Sequence, residues 1–242
     1  SRRRAFFMAP PLPLEFHRNP PRAAIPMLDL PEHPLLDKDR LIGGCVRLDL
    51  RFDPRRLADE MAAIPASFWG SKAGRLGVQD KSEAIFLRGF APSEGDLPIE
   101  NRPALVMLPY VRELIRQVEA LPMRCLLARL AGGGAVPLHI DRAPYFGKTL
   151  RLHFPVETNP RVVMLSHGRR YHLREGEVWA LNNSTAHAVL NGDPQRKRTH
   201  LICDFLPSES LVSRILRGER DLGVEDLALE QALQPKAPAQ AS

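Results

Sequence analysis

Aromatic residues are scarce in this chain, and their scarcity limits the classes of function that it can have. They make up 6% of the 242 residues. A nucleic-acid surface needs a basic face with aromatic side chains interleaved. The net charge is +6, but five arginines stand against the single acid Glu15 in the first 22 residues, so the excess belongs largely to one end of the chain. We therefore expect no nucleic-acid partner.

Cysteines and long apolar runs are also rare. Cys45, Cys125 and Cys203 lie far apart, without a CxxC pair. We expect buried free thiols in a reducing compartment, and hence a cytoplasmic protein. No apolar run reaches the roughly 18 residues that a membrane-spanning helix needs, so we expect no membrane partner. The sequence also lacks a Ser/His/Asp or Cys/His nucleophile motif, which favours chemistry that needs no protein nucleophile.

Composition divides the chain into three parts. Residues 1–40 are rich in proline, which removes backbone donors and breaks helices, so we expect a poorly ordered or extended arm. The arginines at its start resemble a targeting signal, but no uninterrupted apolar stretch follows them. Residues 41–206 contain many short strand-like runs between turn residues, the pattern of an antiparallel sandwich or barrel. Residues 207–242 predict a short helical segment and a flexible tail.

The periodicity of apolar residues places the individual elements. Asp53 and Pro54 have the positions of a helix cap and a first helical residue, and Ser208 can cap a second helix that ends at Gly218. Pro109 marks the start of the regular helix within residues 103–121. Strands are predicted at residues 41–52, 84–90, 123–130, 149–157, 161–166, 169–174, 176–181, 185–190 and 198–206, and a last short helix at 222–233.

Three residues of the β-rich part are candidate metal ligands. His139 and Asp141 are two positions apart, so on a regular strand they point to the same face. His187 begins another strand-like run, and strands that are distant in sequence can be neighbours in a sandwich. Two imidazoles and one carboxylate suit Fe(II), Mn, Co or Zn. By itself the spacing is a weak signal, and a surface histidine, a capping aspartate and a core histidine are the alternative.

Arg198 adds a second kind of group to this pattern. It lies on the next predicted strand, 11 residues after His187. A guanidinium binds a carboxylate through two parallel hydrogen bonds, so Arg198 could hold the distal carboxylate of 2-oxoglutarate near a metal. Arg196 and Lys197 compete for this role but lie in a turn, where we expect them to be solvated.

Three segments resemble the aspartyl/asparaginyl β-hydroxylase family. They are residues 150–156 (LRLHFPV), 176–189 (GEVWALNNSTAHAV) and 198–204 (RTHLICD). The family shows R-x-H, then a glycine followed by (D/N)-(D/N)-S-x-x-H-x-V, then R-x-x-x-x-x-D, and the likeness covers about residues 123–206. It implies a double-stranded β-helix, which is a cupin-like jelly roll, and the use of Fe(II), 2-oxoglutarate and O2.

The resemblance also implies roles for individual residues. The metal ligands would be His139, Asp141 and His187. The residues that bind the co-substrate or line its pocket would be Arg198, Arg151, His153 and Ser184, and Asn182 would shape the loop before His187. Animal members of the family have glycine where Asp141 stands, so this chain is similar to the bacterial members, which keep all three ligands.

The substrate is less defined by the sequence. The strand and helix before the jelly roll are similar to those of bacterial proline cis-hydroxylases, but these have a larger C-terminal helical domain than residues 207–234 can form. Arg142, Lys148 and Arg151 would suit a carboxylate-bearing substrate, an amino acid or an Asp/Asn side chain. A small molecule is favoured over a protein, since no peptide-binding repeat accompanies the domain.

Two other functions use the same ligands. A non-catalytic, cupin-like module would bind a metal or ligand without turnover. A zinc hydrolase would need an acid or base near the metal-bound water, and the sequence places no glutamate there. Of the remaining residues, we expect Trp179 in the core, His167 and His172 at the surface, and His200 on the same strand face as Arg198. The loops at 66–83, 91–103 and 142–148 would select the substrate.

Overall fold

The structure, a computed structural model, describes residues 35–70, 81–90 and 99–235 of the chain. The chain divides into the units Ser1–His33 and Pro34–Ser242, and all described residues belong to the second. No helix among them is long and apolar enough to cross a membrane. The predicted loop residues 71–80 and 91–98 and most of the predicted arm lie outside the described residues.

Helices and strands alternate at first, and strands then dominate. The helices are α1 (Lys38–Leu41), α2 (Pro54–Ala62), α3 (Pro103–Val106), α4 (Pro109–Gln117), α5 (Pro144–Lys148), α6 (Glu209–Arg217) and α7 (Leu227–Ala232), and a 3-10 turn covers Ala66–Phe68. The strands are β1 (Cys45–Arg51), β2 (Ser82–Arg88), β3 (Pro122–Leu130), β4 (Ala135–His139), β5 (Leu150–Glu157), β6 (Val162–Ser166), β7 (Arg169–Tyr171), β8 (Glu177–Leu181), β9 (His187–Asn191), β10 (Arg198–Phe205) and β11 (Val224–Glu225).

The strands form two antiparallel sheets. The larger sheet has the order β1-β8-β5-β10-β3-β2, and the smaller has the order β11-β7-β6-β9-β4. Strands that are adjacent in a sheet are often far apart in sequence, such as β3 and β10, which pair from Arg198 with Leu130 to Phe205 with Pro122. This arrangement confirms the predicted mainly β jelly roll with flanking helices.

Each face of the larger sheet has its own environment, because side chains alternate along a strand. On β10, Leu201, Cys203 and Phe205 are buried in the cluster that also contains Leu57 of α2 and Leu114 of α4. The helices therefore cover one face of this sheet. The other face carries Arg198, His200 and Asp204, which are buried polar residues, so β10 separates an apolar layer from a polar interior.

A second apolar cluster joins the two sheets. Trp179 and Leu181 of β8 pack with Val162 and Met164 of β6 and with Val189 of β9. Trp179 is 3% exposed, as predicted. All three cysteines are free and buried, and His167 and His172 are exposed, which confirms those expectations too.

The local signals in the sequence place the helix ends well. Asp53 accepts hydrogen bonds from the backbone of Arg55 and Arg56 at the start of α2, and Ser208 accepts one from Leu211 at the start of α6. Helix α3 is an addition to the prediction, because a second proline, Pro103, starts a short helix of its own. Helix α1 crosses the predicted boundary between residues 40 and 41, because Asp37 caps it.

Candidate functional site

Strands β4 and β9 bring the three predicted metal ligands together at one end of the smaller sheet. His139 is the last residue of β4 and pairs with His187, the first residue of β9. Asp141 follows two residues later, and its backbone N–H donates to the carbonyl of Asn183. One potential ligand atom from each of the three side chains lies within 4.8 Å of the others. This spacing allows one ion to contact all three.

Backbone carbonyls fix which nitrogen each histidine offers. Nδ1 of His139 lies 2.8 Å from the carbonyl oxygen of Pro137, and Nδ1 of His187 lies 2.9 Å from that of Thr185. A carbonyl can only accept a hydrogen bond, so each Nδ1 carries a proton, and in the neutral form of each ring Nε2 has the lone pair. Metal-binding histidines commonly have such an oriented ring.

The ionisation of the cluster suits cation binding. Burial lowers the pKa of His187 to about 4, with a contribution from His139, so the ring is neutral near pH 7. Burial would raise the pKa of Asp141, but the charge of Arg151 outweighs it, with help from His187 and from a hydrogen bond with Asn183, and the pKa falls to about 2. The site therefore presents a neutral imidazole at His187 and an ionised carboxylate at Asp141.

Arg198 lies in the polar interior without a carboxylate. It is 4% exposed, and no acidic side chain among the described residues lies within ion-pair distance of it. Its Nη2 contacts Nδ1 of His200 at 2.7 Å, and its Nε has no hydrogen-bond partner. Burial lowers the pKa of Arg198 to about 9, so its charge lacks the compensation that a buried charge ordinarily has.

His200 and His153 complete this polar interior. Since Arg198 can only donate, Nδ1 of His200 accepts and its Nε2 carries the proton. Nδ1 of His153 lies 3.2 Å from the same Nδ1, so His153 is the donor there. Burial and the charge of Arg198 hold the pKa of both histidines well below the usual range. Within the described part of the chain, the N–H groups at Nε of Arg198 and Nε2 of His200 are buried without partners, as those of an anion-binding site would be.

His153 links this region to the candidate ligands. Burial, the charges of Arg198 and Arg151, and that of His187 when it is protonated all lower the pKa of His153. Its own Nε2 is buried without a partner among the described residues. The structure thus brings Arg198 and His153 into one interior with the ligand cluster, as the sequence pattern suggested. His200 belongs there as well, because alternation on β10 places it on the face of Arg198.

Arg151 has partners that the sequence analysis missed. Its Nη1 donates to Oδ2 of Asp141 at 2.8 Å. Its Nε and Nη2 bind the two oxygens of Asp204 at 2.8 and 3.0 Å, and Tyr145 donates to the same carboxylate. Burial would lower the pKa of Arg151, but Asp204 and Asp141 raise it. The guanidinium predicted to line the co-substrate pocket is thus engaged by the chain's own carboxylates.

Lys38 is a further residue that sequence reasoning missed. Its amine donates to the carbonyl of Phe146 at 2.6 Å and to Oδ1 of Asn183 at 2.8 Å. Burial lowers the pKa of Lys38 to about 8, with Arg151 also contributing. Lys38 falls within the proline-rich stretch that was predicted to be poorly ordered, and a single lysine there carries no signal of burial.

Ser184 is placed differently from the other predicted residues. It is exposed in the turn before β9, and its backbone N–H donates to Oδ1 of Asn182 at 3.1 Å. Asn182 in turn is buried and donates to Asp39. Asn182 therefore shapes the loop before His187, as expected, whereas the turn directs Ser184 to the surface.

Comparison with known proteins identifies the central part of the chain. A family model described as aspartyl/asparaginyl β-hydroxylase matches residues 93–207. The matched residues make up just under half of the chain, and this region is similar to the aspartyl/asparaginyl β-hydroxylase family. The family match includes the three candidate ligands, Arg151, His153 and Arg198, and it confirms the resemblance seen in the sequence. Strands β1 and β2 and helices α1 and α2 precede the matched residues.

Two individual proteins extend this comparison. An L-proline cis-4-hydroxylase of Rhizobium meliloti (strain 1021) is 26% identical over 167 residues, which are 64% of this chain and 58% of that relative. The chain thus matches little more than half the length of this relative. A crystal structure of a 2OG-Fe(II) oxygenase family oxidoreductase from Burkholderia pseudomallei aligns with a TM-score of 0.51 at 15% identity, over 70% of this chain and 86% of that chain. This second likeness shows a shared fold.

The donor set of this cluster fits a divalent metal with open positions. Two imidazole nitrogens and one carboxylate oxygen are the ligand types of the 2-His-1-carboxylate triad, which binds Fe(II) on one face. The buried, unpartnered N–H groups of Arg198 and His200 lie in the same interior. They suit the carboxylate of a metal-bound acid better than they suit an apolar ligand.

Proposed function

We propose that this chain is an Fe(II)- and 2-oxoglutarate-dependent dioxygenase that hydroxylates an unactivated C–H bond. Its substrate would be an amino acid or another carboxylate-bearing molecule with an Asp- or Asn-type side chain. The observation that carries the proposal is Arg198, a buried guanidinium without a carboxylate partner among the described residues, in one interior with a His-Asp-His cluster. A zinc site alone gives no reason for such a charge.

His139, Asp141 and His187 would hold Fe(II) through two Nε2 atoms and one carboxylate oxygen. Bound there, the metal supplies the oxidative chemistry that converts 2-oxoglutarate and O2 to succinate and CO2 and transfers one oxygen atom to the substrate. The chain's part is to bind and orient the reactants. No side chain needs to act as a nucleophile or general base, in agreement with a sequence that lacks such motifs.

Arg198 would bind the distal carboxylate of 2-oxoglutarate and recover the charge compensation that it lacks in the protein alone. The N–H at Nε2 of His200 provides a second donor nearby. His153 would line the same pocket, because its pKa responds both to Arg198 and to His187. Ser184 is exposed, so its place in the co-substrate site would require the loop before β9 to turn inward.

The likeness to an L-proline cis-4-hydroxylase favours a free amino acid as the substrate. A cationic surface near the site also favours an anion, because the exposed Arg142 directly follows Asp141 in the sequence. Lys148 at the end of α5 is half-buried and adds to this charge. The C-terminal helices α6 and α7 are short, and they differ in this from the larger helical domain of proline cis-hydroxylases.

The proposal is tested by incubating the purified chain with Fe(II), 2-oxoglutarate, O2 and a panel of amino acids. We expect succinate formation that depends on one substrate, and a product heavier by one oxygen atom in the mass spectrum. Anaerobic addition of Fe(II) and 2-oxoglutarate should give a weak visible charge-transfer band. The band without turnover on any substrate would support a non-catalytic, cupin-like module instead. Hydrolytic activity with Zn(II) and no band would contradict both.

A further inference from the structure

Lys38 is an unusual residue to find inside this protein. Helix α1 is one turn long, yet Lys38 at its start is 3% exposed. A buried lysine requires partners that offset the loss of hydration. Lys38 lies 55 positions before residue 93, where the family match begins, so the shared motif does not account for it.

The partners of Lys38 lead to Asp141. The amine donates to Oδ1 of Asn183, and the same side-chain amide donates through Nδ2 to Oδ2 of Asp141 at 3.0 Å. An ammonium group has no acceptor atom, so it requires the oxygen of the Asn183 amide to face it. The nitrogen of that amide must then face Asp141. Lys38 thereby determines the orientation of Asn183.

Asp141 is held from two directions at its Oδ2 atom. Its Oδ2 accepts from Asn183 and, at 2.8 Å, from Nη1 of Arg151. Its Oδ1 lies 3.9 Å from Nε2 of His139, on the side of the ligand cluster. Asn183 and Arg151 thus bind Oδ2, and Oδ1 lies on the side of the histidines.

We propose that Lys38 is a positioning residue for the metal site. It fixes the Asn183 amide, which together with Arg151 holds the Asp141 carboxylate so that Oδ1 is presented to the metal. The inference rests on the proposed function only in taking Asp141 as a ligand. Residues that orient metal ligands commonly change metal affinity by about 10- to 100-fold. Since Lys38 acts through one further residue, we expect about 3- to 10-fold.

The direction of the change in metal affinity distinguishes a positioning role of Lys38 from a purely electrostatic one. Lys38 is a cation, and removing a cation near a divalent metal strengthens metal binding by simple electrostatics. Removing a group that orients Asp141 weakens metal binding. A substitution that deletes the amine therefore gives opposite results under the two explanations.

The experiment is a titration of the metal-free protein with Co²⁺, followed by its visible absorption and by competition with a chelator. Lys38→Met removes the amine and retains most of the apolar stem. Arg40→Met is the matched control, because Arg40 is an exposed cation of the same helix. We expect Lys38→Met to weaken Co²⁺ binding about 3- to 10-fold and Arg40→Met to leave it unchanged. Equal or tighter binding by Lys38→Met would overturn the inference.

A second variant keeps the test decisive if Lys38→Met folds poorly. Asn183→Leu conserves charge and approximate volume, and it removes both the hydrogen bond from Lys38 and the hydrogen bond to Asp141. Pairing it with Lys38→Met replaces both polar partners by apolar groups, which is better tolerated than leaving one unsatisfied. We expect the double variant to bind Co²⁺ as weakly as Asn183→Leu alone. If the two effects multiply, Lys38 does not act through Asn183 and the inference is wrong.

The two proposals fail in different ways. If the unaltered protein does not bind Co²⁺ or Fe(II), the proposed function fails. If it binds metal and Lys38→Met binds equally well, only the role of Lys38 is rejected. Circular dichroism and thermal unfolding of each metal-free variant show whether weaker binding comes from loss of the fold.

Discussion

Arg151 and Arg198 lie on the same interior face of the larger sheet and have opposite surroundings. Arg151 contacts Asp141 and Asp204, and the two acids raise its pKa. Arg198 has no acidic partner among the described residues, and burial lowers its pKa to about 9. The protein itself compensates the first charge. The second has no such compensation, and this difference is the reason for proposing Arg198, and not Arg151, as the arginine that binds an anion.

The largest effect is expected from Arg151→Met. This change leaves Asp204, which is fully buried, without its two strongest hydrogen bonds. Breaking a buried ion pair from one side costs about 3–5 kcal/mol of the free energy of unfolding. Urea unfolding of the metal-free protein measures this loss. The control is Arg170→Met, since Arg170 is exposed and lies 3.7 Å from Asp226, a surface pair worth at most about 1 kcal/mol.

Arg198→Met should behave in the opposite way. Since no acid among the described residues pairs with Arg198, the metal-free variant should be at least as stable as the unaltered metal-free protein. The affinity for 2-oxoglutarate should fall by about 100-fold or more, because a buried charge pair can no longer form. Titration of the charge-transfer band with 2-oxoglutarate measures the affinity. Arg196→Met, in the exposed turn before β10, is the control, and an unchanged affinity in Arg198→Met would exclude the proposed anchor.

Lowering the pH should have different effects on the buried histidines and on the ion pair of Asp141 with Arg151. The folded-state pKa of His187, about 4, lies below the unfolded value of about 6.5, so the unfolded chain binds more protons between these values. Stability is complete above about pH 6.5 and is lost as the pH falls toward 4. For His187 alone the loss is about 2 kcal/mol at pH 5. His153 and His200 add to it, because their pKa values are lowered in the same direction.

The carboxylate of Asp141, with a pKa of about 2, stays ionised in this range, so its pair with Arg151 should persist. Chemical unfolding of the metal-free protein between pH 7.5 and 5 measures the slope, and His187→Asn should make it shallower. If this variant shows the original slope, the acid sensitivity arises elsewhere in the molecule.

The smallest effect is expected from Tyr145→Phe. The Tyr145 hydroxyl donates to Asp204 at 3.1 Å and accepts from the backbone N–H of Arg124. Its removal should lower the free energy of unfolding by about 1 kcal/mol and leave the affinity for 2-oxoglutarate unchanged. A loss of affinity comparable to that of Arg198→Met would mean that the two arginine regions are coupled.

The sequence predicted most of the fold because its signals are local. The proline and cap residues at Asp53 and Ser208 specify helix starts from their immediate neighbours. Alternation along β10 correctly places Arg198 and His200 on one face. The division of residues 103–121 into two helices was missed, because each of two prolines can begin a helix and the prediction used only Pro109.

The candidate site was predicted less completely, because several of its contacts join distant parts of the chain. Lys38 and Asn183 are 145 positions apart, and no periodicity relates them. Asp204 belongs to the same motif as Arg198, and its spacing of six residues on a strand places both on one face. This spacing could have predicted that Asp204 faces the interior, where it can form an ion pair with an arginine such as Arg151. Which arginine it neutralises depends on the pairing of β10 with β5, where Asp204 faces Arg151.

The order of strands in the larger sheet has a practical consequence for dividing this protein into fragments. The outermost strands of that sheet are β1 and β2, and both precede the region matched by the family model. A fragment that begins at residue 93 would retain every candidate ligand yet expose β8 and β3 as new edges. Unpaired edges of this kind recruit other chains and promote aggregation. The start of the family match at residue 93 is therefore not a point at which the larger sheet can be cut.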